Sequence, residues 1–395
     1  MTVAFVTFGC RLNRAESLDL EERYVASGWR IWNGEDAYDP DLVIVRCCSV
    51  TAKAQRDCEK KISNLRLRFP NAEILIVGCH PAAKPIPDEL APSAVLPADA
   101  PASLRLSRAY LKVQDGCSGN CAFCIVPSFR GSPVSEPFER VLGRARACID
   151  AGFREIVVTG CNLCLYRDAS RRLPELLSAI ASIESPGHRV RLGSIEPGLC
   201  DSGILDAMES HENICRFLHL SLQSGSNHVL RLMRRPYKIG QVAAFCMDAK
   251  RRLGKRLAFG ADVITGFPGE TEADFDETKD FLLRPFVTNF HIFPYSEREG
   301  TEAASMSPIV PVDIRRRRAK ELEAIGAMRR EEFARSFIGG KIEVCVENDG
   351  NGYSGEYLHC VLEGTAERRS LVEARVDDYF PQTGSLSATI CAKDQ

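Results

Sequence analysis

Residues 112–127 read K-V-Q-D-G-C-S-G-N-C-A-F-C-I-V-P and set Cys117, Cys121 and Cys124 on one short loop directly after an apolar run. Three thiols at that spacing form a metal-binding set. Iron-sulfur clusters are held by cysteine thiolates and normally take four, so a compact three leaves one iron free for a substrate or cofactor. Zinc is the alternative, but it usually shows paired C-x-x-C units or a histidine partner. No histidine lies between His80 and His188.

These three belong to a total of seventeen cysteines in 395 residues. A secreted disulfide scaffold would be short and loop-rich, whereas this chain is 45% hydrophobic, has an odd cysteine count and opens without a basic, cleavable leader. No stretch approaches the roughly 18 apolar residues of a membrane span. A cytoplasmic protein with no membrane partner is expected, its thiols serving as metal ligands, a nucleophile or small core residues. With 51 basic against 53 acidic residues, a polybasic nucleic-acid binder is excluded and any RNA contact must be local.

The elements that position the cysteines fall into three regions. Apolar runs at 2–8, 42–45 and 73–77 each end close to cysteine, at Cys10, at Cys47 and Cys48, and at Cys79, with helical stretches at 16–29 and 52–69 between them. That alternation predicts a doubly wound α/β domain with a parallel sheet, whose post-strand loops gather on one edge and bring distant cysteines together. Six prolines between Pro81 and Pro101 preclude one regular element and mark a connection. Strand candidates at 110–113, 155–159, 189–193, 217–222, 257–264 and 289–295 then alternate with helices such as 138–151, 173–183 and 239–253. Six such units suit a partial (β/α)6 barrel with its chemistry at the C-terminal mouth. A basic helix over 313–337 leads into short strands at 342–346, 358–362, 371–376 and 386–391, a small antiparallel β domain. The expected domains are 1–100, including the proline-rich connection, 105–337 and 338–395.

The C-x3-C-x2-C loop, with Phe123 before its third cysteine, resembles the radical S-adenosylmethionine superfamily. Cys10 in T-F-G-C-R-L-N, Cys48 in C-C-S-V-T and Cys79 in I-V-G-C-H resemble the three-cysteine domain of the methylthiotransferases. V-V-T-G-C-N-L, S-I-E-P, L-H-L-S-L-Q-S-G-S, V-I-T-G-F-P-G-E-T and F-P-Y-S-E-R-E-G-T are similar to the family's successive strand signatures. Q-D-G-C and C-S-V-T-A-K-A point to the threonylcarbamoyladenosine tRNA branch. The resemblance covers nearly the whole chain. It implies two [4Fe-4S] clusters, one on Cys117, Cys121 and Cys124 that binds S-adenosylmethionine and cleaves it to a 5′-deoxyadenosyl radical, the other on Cys10, Cys48 and Cys79 that bears or relays sulfur. It also implies a tRNA substrate methylthiolated on C2 of an adenosine next to the anticodon, with an electron donor and a sulfur source still to be named.

An aromatic C–H with no acidic proton lies beyond general-base chemistry, so no protein acid or base outside the clusters is nominated. Thr159, Gly160 and Asn162 are the expected contacts to the amino-acid part of S-adenosylmethionine, Glu196 to its ammonium or ribose, and Gly266, Pro268 and Gly269 to its adenine. Each glycine has an ordinary turn role as its alternative. Rival substrates are isopentenyladenosine in tRNA and a ribosomal-protein aspartate; a rival class is a non-catalytic iron-sulfur protein that binds RNA or senses redox state.

Where the family usually has Asn-Thr-Cys, this chain has Arg46-Cys47-Cys48. Alignment on Ser-Val-Thr selects Cys48, and Cys47 is expected on the opposite face of the strand. Cys161 and Cys164 stand where relatives carry Val and Gly and are read as small residues near the site. Arg315 to Arg318 with Lys320 suit either a solvated helix face or a phosphate-binding surface. Arg231, Arg234 and Arg235 with Tyr237 suit a splayed base or an exposed turn. The terminal domain resembles the TRAM module, most clearly over 352–357. Its five basic and ten acidic side chains over 341–395 weaken the electrostatic case for RNA binding there.

Overall fold

The computed structural model describes residues 1–34, 38–86, 106–347 and 350–391. At the start of the chain Thr2–Thr7 lies between Arg30–Ile31 and Leu42–Cys47, with Glu73–Gly78 beyond, in one parallel sheet. Leu42–Cys47 is buried at every position, as a central parallel strand covered on both faces must be. Val43, Val45 and Cys47 pack on Cys58, Ile62 and Leu65 of the helix Ala52–Arg68. Leu42 and Ile44 pack on Leu20 and Tyr24 of the helix Arg11–Ala26. The sheet is therefore doubly wound. The proline-rich connection lies largely outside the described residues.

Ala109–Asp115, Glu155–Gly160 and Arg189–Leu192 form one parallel group, and Ser194–Ile195, Phe217–Gln223, Ala258–Thr265 and Val287–Pro294 a second. The break falls at Gly193, whose N–H reaches the Val158 carbonyl at 2.9 Å and where a Cβ would stand 2.9 Å from that same oxygen. One continuous strand thus turns from the first group into the second, giving six strands around a partial barrel. Apolar faces of Phe138–Asp150, Leu173–Ala181, Gly203–Ser210, Ile239–Leu253 and Glu272–Leu282 share a single core with these strands.

The last region is a closed five-stranded barrel. Its pairings are antiparallel except for His359–Glu363 against Ser385–Ile390, which run parallel. Asn351–Ser354 is a strand that its Gly and polar composition conceals. This barrel docks on the N-terminal ends of the large barrel's strands. There Glu155 is fully buried between Arg189 and Arg191, and the two guanidinium groups also donate to the carbonyls of Tyr353, Ser354 and Gly355. Burial alone would raise the Glu155 pKa, but the two arginines outweigh it and hold the carboxylate ionised. Residues 352–357 are thereby committed to an internal interface.

The arginine run on the helix Val312–Arg335 divides by helical period. Arg315 is buried against the carbonyls of Val310 and Tyr295, and Arg318 is buried against Glu270; Arg316, Arg317 and Lys320 are exposed. Half of the run is therefore structural. No helix among the described residues is long and apolar enough to cross a membrane.

Candidate active site

Cys117, Cys121 and Cys124 follow the strand Ala109–Asp115, on a loop that two contacts close. Gly116 has φ +66°, and a Cβ there would lie 2.0 Å from the Ser132 carbonyl oxygen, so the turn admits no side chain. The Gln114 amide donates to the carbonyls of Asp115 and Gly116, and its Oε1 accepts from the Asn162 N–H at 2.8 Å. Arg235 then folds back to donate to Cys121 Sγ at 3.0 Å while pairing with Glu196 at 3.1 Å. Its neighbour Tyr237 is buried and donates to the Ser221 and Leu222 carbonyls. Arg235 and Tyr237 are thus parts of the cysteine site, which corrects their reading as an exposed turn or base clamp. Arg231 and Arg234 remain at the surface.

Cys10, Cys48 and Cys79 converge from three strand ends. Gly9, at φ +98°, lies so close that a Cβ would come within 2.6 Å of Cys48 Cβ. Burial pushes the Cys48 thiol up to about 11. Burial also raises Cys79, partly offset by Arg130, which donates to its sulfur at 3.1 Å. Arg130 belongs to the short helix Val126–Arg130, immediately after the other cysteine loop. It also binds Asp115, Asn13 and Glu16, and Glu16 in turn binds Lys112 and Arg46. Burial would raise the Glu16 pKa, but Arg130, Lys112 and Arg46 bring it below the usual value. One charged network therefore ties both cysteine trios together.

Between the trios lies a cavity of about 620 Å³. Cys10 and Cys48 line one side, Phe123 and Cys124 another, and Thr159 and Gly160 the strand-end rim. Asn162 sits just behind, donating to Glu196 at 2.6 Å, while its Oδ1 is buried without a partner among the described residues. Gly266, Pro268 and Gly269 are not among the cavity's lining residues. A Cβ on Gly266 would meet Arg315 Cγ at 2.3 Å and one on Gly269 would meet Leu232 Cδ1 at 2.9 Å, so turn geometry and packing account for these glycines.

Sequence patterns of two families match this chain: the Radical SAM superfamily over residues 111–282 and Uncharacterized protein family UPF0004 over residues 2–94. A threonylcarbamoyladenosine tRNA methylthiotransferase MtaB of Rickettsia prowazekii is 30% identical over 91% of this chain and 90% of its own length. The protein of the same name from Aquifex aeolicus is 30% identical over 95% of this chain and all (100%) of its own. The chain belongs to the radical S-adenosylmethionine methylthiotransferase family. A tRNA-2-methylthio-N(6)-dimethylallyladenosine synthase of Zymomonas mobilis is 28% identical over 95% of this chain and 94% of its own. Among solved structures, the radical S-adenosylmethionine methyltransferase TsrM of Kitasatospora setae superposes with a TM-score of 0.54 at 13% identity, over 77% of each chain, a likeness of fold.

Membership in this methylthiotransferase family brings a [4Fe-4S] cluster and S-adenosylmethionine, and the residues fit both. At Gly119 a Cβ would stand 3.2 Å from Cys117 Sγ and 3.8 Å from Cys121 Sγ, so the loop leaves its concave side to sulfur. The donor set is three thiols without histidine, the soft ligand set of an iron-sulfur cluster. Asn162 Oδ1, buried beside Glu196 and unpartnered among the described residues, is an acceptor that suits a donor such as an ammonium.

The remaining cysteines separate from these sets. Cys47 is fully buried beside Cys58 on the sheet's other face, in the core. Cys161 faces Asp115 at 3.3 Å, and Cys164 faces the Glu196 carbonyl with burial pushing its thiol up to about 12. They point to different partners. Two parts of the site have no local signal in the sequence: Arg130, and a polar group on the cavity floor, His219, Asp262 and His291. The floor group's signal was available only through strand register: Asp262 pairs with His291, and His219 pairs with Gly260, two residues along the same face.

Proposed function

We propose that this chain converts N6-threonylcarbamoyladenosine at position 37 of tRNA, next to the anticodon, to its 2-methylthio derivative. The observation that carries the reading is the shared cavity: Cys10 and Cys48 face the same space as Cys124, so both trios address one substrate. The proposed division is a cluster domain over 1–100, a radical domain over 105–337 and a TRAM-like domain over 338–395. Cys117, Cys121 and Cys124 hold the first [4Fe-4S] cluster, and Cys10, Cys48 and Cys79 a second. When bound, the two clusters supply reductive cleavage of S-adenosylmethionine and a site for the sulfur to be transferred.

The protein's own groups position and shield. Arg235 donates to Cys121 and holds Glu196 in place, and Glu196 with Asn162 presents acceptors to the ammonium of S-adenosylmethionine. Thr159 and Gly160 contribute the rim on which its amino-acid portion rests. Arg130 donates to Cys79 and offsets part of the charge that three thiolates gather where the strand ends converge. Phe123, Ile125, Val126 and Tyr295 wall the cavity with apolar surface that keeps water from the reacting atoms. The enzyme works on tRNA in the cytoplasm with an external electron donor and sulfur source.

The test is mass spectrometry of nucleosides from bulk tRNA with and without the gene. Loss of the 2-methylthio form with accumulation of threonylcarbamoyladenosine supports the reading. A shift confined to isopentenyladenosine derivatives, the substrate type of the Zymomonas relative, replaces the substrate, and unchanged nucleosides refute it.

A further inference from the structure

The floor of the cavity carries a polar group that neither cysteine trio requires. His219 Nε2 and His291 Nδ1 both lie against Asp262 Oδ1, at 2.9 and 3.2 Å, from three adjacent parallel strands. Room for the inner ring comes from Gly260, where a Cβ would stand 2.3 Å from His219 Nδ1. His219 is buried, whereas His291 is 46% exposed toward the cavity it lines. Gln223, on the rim of the same cavity, has φ +69° at a register shift in its strand, a strained backbone that re-aims the side chain. Burial would push the Asp262 carboxyl up, but the two imidazoles outweigh it and hold it well below the usual range.

We infer that His219, Asp262 and His291 form the subsite for a polar, anionic substituent on N6 of the target base. The inference rests on the reading that a modified adenosine enters this cavity, and it names the part of that base the floor recognises. Each imidazole gives one N–H to Asp262, which fixes its tautomer and leaves His291 Nε2 as the group presented to a ligand. Neutral, that nitrogen accepts from a hydroxyl or an amide N–H. Carrying a proton, it donates to a carboxylate. Asp262 is the one acid among the cavity's described lining residues and Arg11 the one guanidinium, so the walls have positive charge enough for one further anion once an imidazole is protonated. A threonylcarbamoyl group offers a ureido N–H, a hydroxyl and a carboxylate to these partners. A hydrocarbon substituent would desolvate the same groups with nothing in return, the asymmetry by which a hydrogen-bonding site rejects an apolar analogue.

The experiment measures equilibrium binding of anticodon stem-loop RNAs that differ at one base, carrying the threonylcarbamoyl group, its methyl ester or a dimethylallyl group, to reconstituted wild-type protein and to His291→Phe and Asp262→Asn. The wild type is expected to prefer the acid to the ester roughly tenfold, the worth of one charge-assisted hydrogen bond, and both substitutions are expected to bring that ratio near unity. Iron and acid-labile sulfide per chain equal to wild type show that a variant is folded, and the wild-type ratio needs no variant at all. Equal wild-type binding of acid and ester, or a wild-type ratio retained by a folded His291→Phe, overturns the inference. A separate turnover assay separates the two readings: conversion of the threonylcarbamoyl RNA with no acid preference removes this subsite alone, whereas failure to convert that RNA while converting the dimethylallyl RNA removes the proposed substrate and the subsite together.

Discussion

Arg130 and Gly116 show how much of the site depends on single contacts. Among the described residues, Arg130 touches both a cysteine of the N-terminal trio and the acid, Asp115, that opens the other cysteine loop. Replacing it with alanine leaves Glu16 short of a buried partner and should destabilise the apoprotein by about 3 kcal/mol, the usual cost of breaking one side of a buried ion pair. A urea midpoint unchanged from wild type would show that Lys112 and Arg46 suffice. The iron content of Arg130→Lys reports the second role, because lysine keeps the charge but loses the planar fork that reaches Cys79 and Glu16 together. Iron should fall below wild type even where the fold is kept. Gly116→Ala tests the loop itself. Its Cβ would collide with a backbone oxygen, which cannot rotate away, and its φ lies where alanine is strained, so a loss of about 3 kcal/mol is expected from the two terms combined. Visible absorbance after cluster reconstitution should fall with it, and full absorbance would mean that the turn can be rebuilt.

Among the elements, the helix Glu272–Leu282 is the clearest case of a signal that was present but not used. Thr271 accepts from the Asp274 N–H, and Asp274 reaches back to the Thr271 N–H at 2.9 Å, a capping box written in the sequence as T-x-x-D. Thr271→Ala should lower stability by about 1 kcal/mol, measurable as a shift in denaturation midpoint. Burial would raise the Asp274 pKa, but donors from Ser226, Thr271 and His228 hold it at about 2. A depressed acid contributes stability above its unfolded value near 4 that is lost as pH falls through its folded value. Amide protection in this helix, corrected for intrinsic exchange, should therefore drop between about pH 5 and about pH 2, and Asp274→Asn should abolish the drop. What the sequence made legible follows the same logic of distance. The loop from Cys117 to Cys124 could be read because its three cysteines are local, and the parallel strands could be read because buried apolar runs are continuous. His219, Asp262 and His291 come from three strands, and only their register puts them on one face. Arg235 was misjudged because its sequence neighbours are basic and exposed, while the chain turns its own side chain inward to Cys121. Asn351–Ser354 lacks apolar alternation, since barrel closure rather than side-chain pattern recruits it.

Across the whole molecule, the N-terminal and central regions line the cavity, and one side chain links it to the third. Arg11, next to Cys10, lines the cavity and reaches through to Tyr357 of the terminal barrel, its guanidinium 5.0 Å from the ring centre. Tyr357 also stacks on Phe217 at the start of a barrel strand and lies under Arg191. Burial would push the Tyr357 hydroxyl up, but Arg11, Arg108 and Arg191 outweigh it and bring it below the usual phenol value. The acidic terminal barrel thus closes the bottom of the large barrel through an aromatic ring among arginines, and its position is linked to the loop that carries Cys10. If that link is energetic, a change at Tyr357 must be felt on both sides of it. Tyr357→Leu should lower amide protection in Asn351–Ser354, which it anchors, and also in the first turn of Arg11–Ala26, which it touches through Arg11. In an Arg11→Ala background the second effect should vanish while the first persists, and the double-mutant coupling should be about 0.5–1 kcal/mol, as for a partly exposed cation on an aromatic face. Loss of protection restricted to the terminal barrel would show that the regions are neighbours without being coupled, and that Arg11 serves the cavity alone.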